Sequence, residues 1–141
     1  MSLYLETSCL YKLVFPEPET AEVSRLLRLE EQVLVSHLTL FELEQQISTR
    51  QLTGNISRAE ATRARTLLAG ICATPPFVVK ATAHDLAQTA RRHAAAGPYC
   101  RTADRLHLAA MATLGATRLL TNDDTQAAAA RALGYGVVVP R

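Results

Sequence analysis

Apolar positions along this chain follow two rhythms. Short β-branched or leucine-rich runs at 3–5, 33–36, 77–79, 118–121 and 136–139 predict strands. Between them, apolar residues recur every three or four positions and predict helices over 19–30, 39–52, 58–74, 83–96, 103–114 and 125–133. The punctuation agrees with the rhythm. Ser57-Arg58-Ala59-Glu60 has the form of a capping box, Pro75-Pro76 stops the long helix after Thr74, and Gly97-Pro98 breaks the next one. Gly134 stands where a left-handed residue would close the last helix.

Single strands alternating with helices predict an α/β fold. The strands are short and largely apolar, as in a mostly parallel sheet covered by helices on both faces, an α/β/α sandwich. No Gly-x-Gly-x-x-Gly and no phosphate-loop motif follows any strand, so a nucleotide cofactor loses most of its support. No repeat or linker divides the 141 residues, which read as one domain, 1–141, large enough for a single buried core.

Composition narrows the function classes. A formal charge of +2 is too small to mark a nucleic-acid binder by itself, so any polyanion site must come from local clustering. Cys9, Cys72 and Cys100 are odd in number and lack a Cys-x-x-Cys spacing, which argues against a disulfide framework or a zinc knuckle and fits a reducing cytosol. No run approaches the roughly 18 apolar residues of a membrane span, and no leader pattern precedes the first strand. The expectation is a cytoplasmic protein without a membrane partner.

Candidate chemistry lies in four acids, Glu6, Glu42, Asp104 and Asp123. Each falls at the carboxyl end of a predicted strand or early in a neighbouring helix, where open α/β sheets build their sites. Converging carboxylates repel, by roughly 4 kcal/mol at 4 Å and an effective dielectric of 20, unless a cation sits among them. Plainer readings stand beside this one. Glu6 could simply face a helix N-terminus. Thr39-Leu40-Phe41-Glu42 is itself a capping-box pattern. The stripe Glu42, Gln45, Gln46 and Thr49 is either a groove lining or a solvated face. His107, three residues after Asp104, reads as a structural hydrogen-bonding group near the site, not a metal ligand.

Taken together, the acid in Leu5-Glu6-Thr7-Ser8, the helix glutamate Glu42, the text Thr102-Ala103-Asp104-Arg105-Leu106-His107-Leu108-Ala109-Ala110 and the text Leu120-Thr121-Asn122-Asp123 resemble a PIN domain. Within that superfamily the chain looks most like the VapC toxins of bacterial toxin–antitoxin pairs. The resemblance spans essentially the whole chain and is most specific over 102–123. One departure stands out: the family pattern has an aspartate after the first strand, and this chain has Glu6. Its extra methylene moves the carboxylate outward by about 1 Å, enough to disturb the near-ideal octahedron Mg²⁺ requires.

The resemblance implies a ribonuclease dependent on Mg²⁺ or Mn²⁺. Glu6, Asp104 and Asp123 would be the metal ligands, with Glu42 completing the catalytic acids and Ser8, Thr121 and Asn122 orienting them. Arg50, Arg101 and Arg105 are the candidate RNA contacts, and Arg91-Arg92-His93 reads more readily as a solvated helix face than as an extension of a basic surface. Transfer or ribosomal RNA is the implied substrate. The implied partners are a second copy, forming a homodimer, and a VapB-like antitoxin, for which Leu10, Tyr11, Leu13, Val14 and Phe15 are either an apolar docking surface or, for the most part, core. The alternative is a PIN-like RNA- or antitoxin-binding protein with catalysis weakened by Glu6.

Overall fold

A computed structural model describes residues 2–140. In chain order the elements are β1 (Leu3–Leu5), α1 (Thr7–Val14), α2 (Thr20–Leu27), β2 (Val33–Ser36), α3 (His37–Leu52), α4 (Arg58–Cys72), β3 (Phe77–Lys80), α5 (Leu86–Ala96), α6 (Thr102–Leu114), β4 (Arg118–Leu120), α7 (Asp124–Ala132) and β5 (Gly136–Val138). All five strands join one sheet in the order β3-β2-β1-β4-β5, and every pairing is parallel. The expected sandwich is the observed one, and the sheet is parallel throughout, not only mostly so.

Strand alternation sends side chains to two different cores. Leu3, Leu5, Val33, Val35 and Leu120 pack with Cys9 and Leu10 of α1, Leu43 and Ile47 of α3, and Ala61 and Leu68 of α4. Tyr4, Leu34 and Leu119 face the other way, onto Leu108, Ala110 and Met111 of α6 and Ala129 and Ala130 of α7. Burying both faces explains why the strands lack a polar-apolar alternation.

Strands β2 and β3 lie on one side of β1, and β4 and β5 on the other, so the order reverses at β1–β4. Loops leaving neighbouring strands diverge at such a switch point and open a crevice at the carboxyl edge. Glu6 leaves β1 there, and Asp123 follows β4. Asp104 lies in the first turn of α6, the helix that leads into β4, and Glu42 in the second turn of α3. The topology carries all four predicted acids toward this edge.

The chain also holds an element that its periodicity does not advertise. Residues 7–14 form α1, directly after β1 with only Glu6 between. Of the two readings open for this run, docking surface or core, Leu10 and Val14 take the second. Tyr11, Leu13 and Phe15 are half-buried against that core, so the continuous apolar surface is not there. Among the described residues, no helix is long and apolar enough to cross a membrane.

Candidate active site

Glu6 is the N-cap of α1. Its Oε1 accepts from the Cys9 backbone N–H at 3.0 Å and from the Ser8 hydroxyl. The carboxylate is buried, 5 % exposed, and oriented by its own helix terminus. The plain reading, a helix cap, is the one the structure shows. Oε1 serves the cap, while Oε2 has no hydrogen bond among the described residues.

Glu42 is fixed by a chain of buried polar groups. The Ser36 hydroxyl meets the Tyr4 hydroxyl at 2.7 Å, Tyr4 meets His107 Nδ1 at 2.7 Å, and His107 Nε2 pairs with Glu42 Oε1. Thr7 adds a second donor to the same oxygen at 2.8 Å. Burial alone would raise the Glu42 carboxyl, but His107, Thr7 and the more distant Arg101 outweigh it and hold it below the usual range. Glu42 is thus ionised at neutral pH. Burial pushes the Tyr4 hydroxyl up to about 12, so it stays a protonated donor. His107 holds other side chains in place, as expected from its sequence position. Ser36, not Thr39, caps α3 by accepting from the Thr39 N–H at 3.2 Å, so the capping box read from Thr39 to Glu42 is not the one formed.

Asp104 and Asp123 meet through Arg101. The guanidinium donates from Nε to Asp104 Oδ2 at 3.3 Å and from Nη2 to Asp123 Oδ2 at 3.1 Å. The Arg101 side chain is 72 % exposed while Asp104 is 14 % exposed. Two acids separated by most of α6 and by β4 thus share one solvent-exposed cation. Burial raises the Asp104 carboxyl above its ordinary value; Arg101 opposes the rise and Asp123 adds to it. Asp123 also N-caps α7, Oδ1 accepting from the Gln126 N–H at 2.9 Å. Thr121 Oγ1 accepts from the Asp123 N–H at 3.1 Å and donates to Gln126 at 2.8 Å, which fixes the turn.

The donor chemistry suits a hard divalent cation, since carboxylate oxygens are what Mg²⁺ and Mn²⁺ take. Geometry divides the four acids, however. Among the described residues no three His, Cys, Asp or Glu side chains lie close enough to hold one ion. The predicted ligand set Glu6, Asp104 and Asp123 is not closed. Asp104 and Asp123 turn to Arg101, and Glu6 turns to the α1 terminus. The aspartate pair still fits. Mg²⁺ is commonly held by one or two carboxylates together with substrate phosphate and water.

Other expected contacts fall into place unevenly. Ser8 and Thr121 orient Glu6 and Asp123 as foreseen, whereas Asn122 is exposed. Arg50 lies with α1, its guanidinium 4.8 Å from the Phe15 ring and bonded to the Tyr11 hydroxyl. Arg105 is buried at 8 % exposure and donates to the Pro98 and His93 carbonyls, which makes it a brace for the 97–99 loop. Arg101 alone of the three sits at the acids. Sequence reasoning missed Tyr4, Thr7 and Ser36, whose hydroxyls build the network. Their only signal was polar atoms inside or directly beside apolar strands.

Comparison with known proteins agrees with this geometry. No curated protein sequence matches the chain. Among solved structures, it is similar to VapBC2 from Rickettsia felis bound to a DNA fragment from their promoter, at TM-score 0.76 and 14 % identity over 100 % of both chains. It is similar to VapC20 of Mycobacterium tuberculosis, a sarcin-ricin loop cleaving toxin, at TM-score 0.70 and 19 % identity over 98 % of this chain and 99 % of that one. FitAcB from Neisseria gonorrhoeae gives TM-score 0.69 and 17 % identity over 99 % and 96 %. At these identities the likeness is one of fold. The PIN domain family model matches residues 3–132, nearly the whole chain. That match covers far more than half of its length, and the chain belongs to the PIN domain family.

Proposed function

We propose that this protein is a Mg²⁺- or Mn²⁺-dependent endoribonuclease of the VapC toxin type. The observation that carries the reading is the convergence of Asp104 and Asp123 on one cationic group at the carboxyl edge of the sheet. A divalent ion bound there would neutralise phosphate charge and acidify a water. Asp104 and Asp123 would hold it, with Glu6 at the end of β1 as a further candidate ligand through Oε2. Glu42, kept ionised by His107 and Thr7, would accept a hydrogen bond from water at Oε2 and orient it. Arg101, whose side chain is exposed, would exchange the carboxylates for an RNA phosphate, leaving the charge of the acid pair to be balanced by the bound ion.

The reading extends to substrate and partners. Single-stranded segments of transfer or ribosomal RNA fit a toxin of this type, and the similar VapC20 is described as cleaving the sarcin-ricin loop. A homodimer, a VapB-like antitoxin partner and a cytoplasmic setting go with it.

A second reading is a PIN-like binder with weakened catalysis. Two observations favour it: Glu6 is committed to its helix cap, and the three-ligand cluster is not closed. Incubation with a mixed RNA pool and Mn²⁺ or Mg²⁺ separates the two. The nuclease cuts, EDTA stops it, and Asp104→Asn and Asp123→Asn each lose activity by at least about a hundredfold while keeping their circular dichroism. Glu6→Asp, with its shorter reach, cuts faster than the parent. Absence of metal-dependent cutting by both parent and Glu6→Asp would establish the binder.

A further inference from the structure

One cleft outside the acid cluster has no part in the site described so far. It lies between α5 and α6, has a volume of about 570 Å³, and is lined by Ala87, Ala90, Arg91, Tyr99, Thr102 and Arg105 among others. That volume is within the roughly 300–1,000 Å³ range of small-ligand sites. Its walls include two arginines and no carboxylate. Arg92 lies on the adjoining rim with Arg91. At its mouth Tyr99 is 78 % exposed, a large aromatic presented to solvent.

This presentation is built, not accidental. Arg105 is nearly fully buried and ties the Pro98 and His93 carbonyls together, so the loop bearing Tyr99 is braced from beneath. The cleft also adjoins the acids. Thr102, in its wall, opens the helix that carries Asp104. Arg101, the next residue, bridges those two acids.

We infer that the α5–α6 cleft is a base-binding subsite for single-stranded RNA, with Tyr99 stacking on a nucleobase beside the scissile phosphate and Arg91 meeting its backbone phosphate. An aromatic platform beside a basic groove is how single strands are held without sequence reading, because every base has a π-face. A duplex keeps its bases stacked inward and offers none to Tyr99. The subsite therefore selects unpaired segments for the acids next to it. The inference rests on the nuclease reading for its substrate, but its test does not require cleavage.

Anisotropy of a fluorescein-labelled single-stranded RNA dodecamer, in EDTA so that nothing is cut, gives the affinity. Parent and Tyr99→Phe should bind alike, Tyr99→Ala should bind roughly five- to a hundredfold more weakly, and the matching RNA duplex should show little Tyr99 dependence. Arg91→Ala should flatten the salt dependence by about 0.7 in log–log slope. Parent-like binding by Tyr99→Ala, or no binding by the parent at low salt, overturns the subsite. So does a change of sedimentation velocity in Tyr99→Ala with RNA affinity intact, which would assign Tyr99 to a protein interface. Tyr99-dependent binding by a protein that cuts no RNA with Mn²⁺ keeps the subsite and removes the catalytic reading. Cleavage abolished by Asp123→Asn, with binding indifferent to Tyr99, does the reverse.

Discussion

Asp104 and Glu42 are half-buried carboxylates whose surroundings push them in opposite directions. Burial raises Asp104 and Asp123 adds to the rise, so its ionised form is disfavoured in the folded chain. The fold then loses stability as pH rises from the ordinary aspartate range through the raised value. Glu42 is held low by His107 and Thr7 despite burial, so its contribution is complete above the ordinary glutamate range and disappears as pH falls through the lowered value. Asp104→Asn should therefore melt at or above the parent at pH 7, with the advantage vanishing in acid. Glu42→Gln should melt below the parent at pH 7 and approach it in acid. Thermal denaturation of both against pH checks the pair of signs; equal shifts at all pH values would contradict them. In the proposed site a bound cation would offset the cost of ionising Asp104.

Elements show where local sequence suffices. The Ser57–Glu60 capping box forms as read, both reciprocal hydrogen bonds present. Ser57→Ala should cost about 0.5–2 kcal/mol in urea unfolding and leave RNA cleavage at the parent rate. No loss of stability would deny the cap its role. Gly134 adopts the left-handed φ of 87° expected at a helix end. Helix α1 is different. Its eight residues bury Thr7 and Lys12 as well as Cys9, Leu10 and Val14, so no clean apolar stripe marks it. Lys12 is buried because it pairs with Glu17 at 2.7 Å, and periodicity cannot foresee a tertiary ion pair. Strand cores and the placement of four acids were legible from period and spacing. The side-chain partners were not. Whether Arg50 meets phosphate or Phe15, and whether Arg105 is exposed or braces a loop, depends on neighbours distant in sequence.

At the scale of the molecule, a parallel sheet with its order reversed at β1–β4 brings β1, β4 and the start of α6 to one crevice. Arg101 occupies the position between Asp104 and Asp123 that the proposed metal would take. The account stands on that exchange. Crystals of the protein soaked in Mn²⁺, with data collected at an energy where manganese scatters anomalously, test it directly. The account predicts an anomalous peak about 2.0–2.3 Å from carboxylate oxygens of both Asp104 and Asp123, with the Arg101 guanidinium displaced toward solvent. A map with no peak at the pair, and Arg101 still bonded to both aspartates at millimolar Mn²⁺, would contradict it.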